Sequence, residues 1–522
     1  MLQRRQVLEA GSGIVAGLGL VGQAAAGPTS DSAFEQFVER DGNQLTLDGR
    51  AYYFAGTNNF WLTDPGTTRK EVTQLLEKAA ELDMNAVRTW AFCSGREDGH
   101  CLQPTAEYVR EGEISEDGGR HLDHVIAEAG RLGIRLIMPL TNYWSAYGGM
   151  QQYAEWTDSG ENEYLSAYDE FYRSEAVWEN YRDFVTTILE RENTETGIKY
   201  KNDPAILAWE LGNEPRARKG EVEARFETLS GWIERASSHF KSVDSNHLVS
   251  TGGEGFYDTN TAFYTHQGYE GASFFEDNAL DSIDICSMHL YPSSWNLTPQ
   301  QGTQYIREHI QDARETIGKP VYLGEFGISI DRSADDVFEQ LDRRNRIYEE
   351  WYDNLDRWDA DGALVWQLTL DKRLQYDDGY YVVEDDQETI DIIEQYVKRA
   401  NAKSNKSAHA AKRRRTARGR QLYDDEAPRP PTDLTVTDVT DTSISLSWTP
   451  GEDTAGGTGI AEHELLVESE KGSSITWAGP TASSATLEDL SPDTEYTITA
   501  RALDNQDYWS SATPELVQRT DA

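Results

Sequence analysis

Ile206-Leu207-Ala208-Trp209-Glu210-Leu211-Gly212-Asn213-Glu214-Pro215-Arg216 is a short apolar run that breaks abruptly into polar residues and a proline. The run suits a buried strand, with chemistry placed just past its end. Seven more runs of this kind flank it: Tyr52 to Phe60, Ala86 to Ala91, Arg135 to Leu140, Leu248 to Gly252, Asp284 to Leu290, Val321 to Glu325 and Ala363 to Leu368. Helical patterns lie between them, including Lys70 to Leu82, Leu122 to Leu132, Glu175 to Glu190 and Glu221 to Phe240. Eight strands, each but the last followed by a helical pattern, predict a parallel α/β barrel of eight βα units. An open doubly wound sheet is the alternative, but no Gly-x-Gly-x-x-Gly follows the first strand. Residues 37 to 50 read as a small hairpin at the barrel bottom.

Outside this pattern the chain changes character. It opens Met1-Leu2-Gln3-Arg4-Arg5 and runs through a Gly/Ala/Val/Leu stretch to Ala24-Ala25-Ala26-Gly27. A twin arginine, a short apolar segment and small residues at a cleavage site predict a twin-arginine (Tat) export signal over 1–26 and a secreted mature protein. No other stretch is long and apolar enough to span a bilayer. Residues 27–400 form the barrel domain. Residues 401–427 form a basic connector, holding eight Lys/Arg and no acid between 401 and 420. A solvated linker is the plain reading, and the run also suits attachment to an anionic cell surface. From 428 to 522, Thr432-Asp433-Leu434-Thr435-Val436, Ser443-Ile444-Ser445-Leu446-Ser447-Trp448 and Tyr496-Thr497-Ile498-Thr499-Ala500 alternate apolar and polar residues, as in a small antiparallel immunoglobulin-like sandwich. Its Pro-Pro opening, Trp448 and Leu490-Ser491-Pro492-Asp493-Thr494-Glu495-Tyr496 resemble a fibronectin type III domain, which implies a spacer or tether, with sugar binding as a second role.

The 522 residues carry a formal charge of −43, with 35 Arg to 13 Lys, and the 502 residues outside 401–420 carry −51. That excludes a duplex nucleic-acid binder working by counterion release. With 14 Trp, 26 Tyr and 15 Phe the chain has the large apolar side chains that disordered chains lack. Few Lys and many acids predict a surface suited to concentrated salt, a halophilic adaptation, against the plainer reading of an acidic secreted protein. Cys93 and Cys101 sit in one loop-like stretch close enough to be bridged, and Cys286 in an apolar run reads as a buried free thiol. No Cys/His set has zinc spacing, so neither a metal site nor a cofactor is expected.

In a parallel barrel the reacting groups stand where strands end. The fourth run delivers Glu214 and the seventh Glu325, placing two carboxylates across one barrel mouth, as a pair flanking a scissile glycosidic bond requires. Arg88, ending the second run, suits holding one of them ionised. His289 and Tyr291, after the sixth, suit donating to the pair or to sugar hydroxyls. Trp366, Trp61, Trp90 and Trp144 offer flat faces for pyranose rings. Alone, each has a plainer reading: a solvated loop carboxylate, a core tryptophan, a structural ion pair. Their joint placement at strand ends favours a saccharide cleft.

Arg88-Thr89-Trp90-Ala91-Phe92, Trp209 through Arg216, His289-Leu290-Tyr291-Pro292 and Gly324-Glu325-Phe326-Gly327 resemble glycoside hydrolase family 5. More narrowly they are similar to its endo-β-1,4-mannanases, as are Asn142-Tyr143-Trp144-Ser145-Ala146-Tyr147-Gly148-Gly149 and Gly362-Ala363-Leu364-Val365-Trp366-Gln367. The resemblance runs from about Phe54 to Leu368 and implies a TIM barrel with a retaining mechanism acting on β-mannan polysaccharide. It gives Glu214 the acid/base role and Glu325 the nucleophile's. It sets Asn213 on the sugar 2-hydroxyl, Arg88 and Tyr291 in support of the nucleophile, and Trp366 under the sugar at the cleavage point. Trp90 and Arg216 match substrate contacts, and Asn142, Trp144, His289 and Trp61 complete the expected binding set. A β-1,4-glucanase of the same family and a non-catalytic glycan-binding barrel are the alternatives.

Overall fold

The computed structural model describes residues 34–522 apart from 98, 158–169, 219–221, 259–264, 266–267, 335, 370–377, 384, 405–427, 453–459, 470–471 and 505–509. The expected export segment 1–26 and most of the basic connector lie outside the described residues.

Strands β1 (Glu39–Asp41), β2 (Gln44–Leu47) and β3 (Arg50–Ala51) make the small antiparallel sheet expected over 37–50. The eight expected runs follow as β4 (Phe54–Asn58), β5 (Ala86–Arg88), β6 (Arg135–Pro139), β7 (Ile206–Glu210), β8 (Leu248–Ser250), β9 (Cys286–Leu290), β10 (Val321–Phe326) and β11 (Gly362–Val365). They pair in parallel in the order β8-β7-β6-β5-β4-β11-β10-β9. The two outer strands meet without a full ladder: the amides of Asp284 and Ile285 donate to the Val249 carbonyl (2.8 and 3.3 Å), and that of His289 to Glu254 (2.9 Å). The sheet is thereby a nearly closed barrel.

Strand periodicity explains the two cores. Phe54, Ala86, Ile137, Leu207, Leu248, Ile285, Tyr322 and Leu364 form one buried cluster in the barrel interior. Ala55, Val87, Leu136, Val249, Leu323 and Val365, of opposite parity, join the layer shared with the helices. Val38, Leu45 and Tyr52 belong to the interior cluster, so the hairpin plugs the barrel at its base.

The helices start where local chemistry supplies a cap. Thr68 opens the helix Arg69–Glu81 with a capping box, its side chain accepting from the Glu71 amide while Glu71 accepts from the Thr68 amide. Glu175–Glu190 has the expected bounds, with Ser174 as its cap. The helix expected from Leu122 begins at Glu116 instead. Gly118 and Gly119 hide its first turn from a propensity reading, but the Ser115 cap and the acids Glu116 and Asp117 fix it. The last barrel-domain helix, Gln387–Ser404, runs four residues beyond the expected domain end at 400.

Cys93 and Cys101 are bridged, and Cys286 is a buried free thiol whose pKa burial pushes up to about 12. The described residues from 428 onward form a three-stranded and a four-stranded antiparallel sheet around Ile444, Leu446, Trp448, Leu465, Tyr496 and Ile498. The Tyr496 hydroxyl accepts from the Ser491 amide at 2.8 Å, a tyrosine corner. No helix among the described residues is long and apolar enough to cross a membrane.

Leu364 is fully buried inside the barrel. Leu364→Ala removes its packing and leaves a cavity, and is expected to cost about 2–5 kcal/mol in denaturant unfolding; a loss under about 1 kcal/mol would mean that the interior is not close-packed.

Candidate active site

The loop after β7 carries Asn213 and Glu214 and is pinned from both sides. The Asn213 amide donates to Thr141 (2.8 Å), the Tyr143 amide to Asn213 (3.0 Å) and the Glu214 amide to Gly252 (2.8 Å). These bonds hold Glu214 at φ 52°, a left-handed conformation that costs free energy for a residue with a Cβ. Gly252 must be glycine: its φ is +70°, and an added Cβ would stand 2.0 Å from the Gly212 carbonyl.

A buried ionic network lies beneath. Arg88, 1% exposed, lays one edge on Glu210: Nε donates to both carboxylate oxygens (3.0 and 3.0 Å) and Nη2 to one of them (2.7 Å). Nη1 donates to Glu325 (2.5 Å) and Asn58 (3.1 Å), while Nη2 also reaches Asn213 (2.6 Å). Asn213 in turn donates through Nδ2 to Asn142 (3.0 Å). The Tyr322 hydroxyl donates to Glu210 at 2.6 Å and that of Tyr291 to Glu325 at 2.8 Å. Glu214 accepts from Trp144 Nε1 (2.5 Å) and His289 Nδ1 (2.7 Å). Glu214, His289 and Glu325 each offer one oxygen or nitrogen, all within 4.8 Å of one another. Both oxygens of each carboxylate accept from donors, which suits anions held by hydrogen bonds better than a cation site.

The electrostatics follow from burial and this donor set. For Glu214 burial works upward, but the hydrogen bond and charge of His289, with Arg216 and Trp144, carry its pKa down to about 2. Glu325 is raised by burial, aided by the charge of Glu214, against the pull of His289 and Arg88. Burial opposes charge on His289, yet Glu325 and Glu214 outweigh it and its pKa is raised. His289 Nδ1 thus stands between the two carboxylates, 2.7 Å from Glu214 and 3.7 Å from Glu325.

Eight expected residues therefore converge: Arg88, Asn142, Trp144, Asn213, Glu214, His289, Tyr291 and Glu325. The others stand around them. Trp366 is half-buried, stacked on Phe60 (5.3 Å, 5°), and donates to Asp378 (2.6 Å). Trp90 is buried among Phe60, Phe92 and Tyr147. Trp61 donates to Gln367 (2.9 Å), bracing the residue after Trp366. Arg216 is buried, held by both oxygens of Glu254 (2.6 and 2.6 Å) and by Glu270 (3.2 Å), with its guanidinium 4.9 Å from the Trp144 ring. Asn142 is fully buried behind Asn213, so it orients Asn213 rather than meeting solvent, and Trp144 presents its N–H to Glu214 as well as a ring. Sequence reasoning missed Glu210, Tyr322, Glu254 and Phe60. Only Glu210 had a signal, an acid inside an apolar run.

The family profile described as GH family 5 β-mannosidase-like matches residues 35–368, which hold every residue of this cluster. The chain belongs to glycoside hydrolase family 5. A fibronectin type III profile matches 429–516. Among relatives of this family 5 enzyme, a putative mannan endo-1,4-β-mannosidase 4 of Arabidopsis thaliana is 35% identical over 385 residues, 70% of this chain and 91% of its own length. An endo-1,4-β-mannanase structure from Rhizomucor miehei has a TM-score of 0.62 at 30% identity, covering 71% of this chain and all of the other. One from Thermotoga petrophila has a TM-score of 0.60 at 25% identity, covering 91% and 99%.

Tyr291→Phe deletes one charge-assisted hydrogen bond to Glu325, about 1.5–3 kcal/mol, so kcat/KM should fall roughly 10- to 100-fold with the melting temperature little changed. Wild-type kcat/KM in this variant would remove Tyr291 from the site.

Proposed function

We propose that this family 5 enzyme is a secreted, retaining endo-β-1,4-mannanase, with Glu214 as acid/base and Glu325 as nucleophile. The observation that carries this is the spacing of the pair: one oxygen of Glu214 lies within 4.8 Å of one oxygen of Glu325, which supports the roughly 5–5.5 Å carboxyl separation of double displacement over the roughly 6.5–9.5 Å of an inverting pair. The names of the relatives support β-mannan as the substrate.

Catalysis then follows from the hydrogen bonds. Arg88 and Tyr291 hold Glu325 against the anomeric carbon, and Asn213, fixed by Arg88 and Asn142, donates to the sugar 2-hydroxyl. The proton for the leaving oxygen lies in the 2.7 Å bond between His289 and Glu214. Its passage to Glu214 leaves a neutral imidazole and a protonated acid, removing the charge that holds Glu214 down. Glu214 protonates the glycosidic oxygen as Glu325 attacks; Glu214 then deprotonates water, which releases the glycosyl-enzyme with configuration retained. Trp366, backed by Phe60, supplies the apolar face beneath the sugar.

The pH profile should be bell-shaped. Glu325 must be ionised, and its pKa is raised, so activity is lost on acidification already above 4.5. The His289–Glu214 pair must keep its proton, and His289 is raised above 6.5, so activity is lost only as pH rises beyond the ordinary imidazole range. His289→Gln should move the alkaline limb to lower pH; a limb that stays in place would separate His289 from the acid.

Substrate and stereochemistry are tested together by reducing-sugar release from galactomannan, glucomannan and carboxymethylcellulose, with the product anomer read by NMR. The expected result is internal cleavage of the mannans, a β-anomer formed first, and loss of about three or more orders of magnitude in Glu214→Ala and Glu325→Ala. Faster cleavage of carboxymethylcellulose, or an α-anomer first, would overturn the assignment.

Export through the twin-arginine segment and adaptation to salt belong to the same reading, the second supported by the charge of −43. The fibronectin type III domain and basic connector serve as a tether to a cell surface or polysaccharide. The melting temperature should rise from dilute buffer to molar NaCl; maximal stability at low salt would exclude halophilic adaptation.

A further inference from the structure

Glu210 is the charged group at the centre of the site that the two displacement steps leave unused. It lies four residues before Glu214 on the same chain segment, is fully buried, and takes three hydrogen bonds from Arg88 and one from Tyr322. We propose that Glu210 is a positioning residue that acts through Arg88 to set how tightly Glu325 is held as an anion, and with it the nucleophile's reactivity. The proposal rests on the nucleophile role of Glu325 given above.

The geometry divides Arg88 between two carboxylates. Its Nε/Nη2 edge belongs to Glu210, and Nη1 is turned to Glu325 at 2.5 Å. A guanidinium does not give up its proton, so its charge is always present. If it were unpaired in this water-poor interior it would bind the Glu325 carboxylate very strongly, and a carboxylate stabilised that much is a poor nucleophile. Glu210 neutralises that charge from the far side and fixes the guanidinium plane, so that one cation can touch both Glu325 and Asn213 without overwhelming either. Tyr322, placed 3.3 Å from Ser250 of β8, donates to the same Glu210 oxygen as Arg88 Nε and so competes with Arg88 for that carboxylate. Among the described residues, the charged and titratable groups around Glu325 are Arg88 from β5, His289 from β9 at 3.7 Å, Tyr291 beyond it and Glu214 after β7. Those around Glu210 are Arg88 and, from β10, Tyr322.

Two roles for Glu210 predict opposite signs. If it moderates the charge of Arg88, Glu210→Gln exposes Glu325 to a less compensated cation, and the acid limb of kcat/KM moves to lower pH. If it only holds Arg88 in place, the same variant loosens the Arg88–Glu325 contact and the limb moves to higher pH. The test is the pH dependence of kcat and KM on galactomannan for wild type, Glu210→Gln and Tyr322→Phe, with thermal melting of each. The expected result for Glu210→Gln is a downward shift of at least about half a pH unit, a fall in kcat of about tenfold or more, and KM changed less than about threefold. An acid limb that stays in place or rises overturns the proposal. Should Glu210→Gln fail to fold, Tyr322→Phe decides. It takes a donor from Glu210 and strengthens that residue's hold on Arg88, so the limb should move slightly upward, and an unmoved or lowered limb overturns the proposal. Activity persisting in Glu325→Ala would instead strike the nucleophile assignment, and is recognised because that variant retains Glu210.

Discussion

A single buried cation organises this catalytic centre. Arg88 has no contact with solvent worth the name, and an isolated guanidinium in such a place would be destabilising by several kcal/mol. It is tolerated because five N–H groups find Glu210, Glu325, Asn213 and Asn58, so charge and hydrogen-bonding capacity are both satisfied. Glu325 is thereby tied to Glu210, which is fully buried inside the barrel. Removing Arg88 would leave two buried carboxylates without the cation they share.

How much of this was legible from residues alone depended on the range of the signal. Strand runs are local, and all eight were found, because apolar stretches ended by Gly, Asn or Pro are visible within a few residues. The first turn of the helix from Glu116 was hidden by paired glycines, although its serine cap was in plain view. Glu214 and Glu325 stood out because they followed strands. The pairing of Arg88 with Glu210 spans 122 positions, and nothing near either residue announces it. Trp144 was expected to offer a face; it also offers its N–H, and an indole's composition cannot say which edge a fold will use. Arg216 was expected at the substrate, yet two acids enclose it, and acids are so abundant in this chain that their partnership left no trace.

The chain thus uses one residue type for two opposed purposes. Outside, Asp and Glu remain in water, where salt screens their mutual repulsion. Inside, Glu210, Glu214, Glu254 and Glu325 are nearly or fully buried, each matched to fixed donors. The charge total describes the first population and is silent about the second.

The donors and acceptors that shape the pair come from separate βα units: Arg88 from the second, Asn142 and Trp144 from the third, Glu210 and Asn213 from the fourth, His289 and Tyr291 from the sixth, and Tyr322 from the seventh. No fragment of the barrel contains a working share of them. Turnover is therefore a property of the closed ring as a whole, and its loss on heating or in denaturant would report the opening of any one of these units as faithfully as collapse of the entire domain.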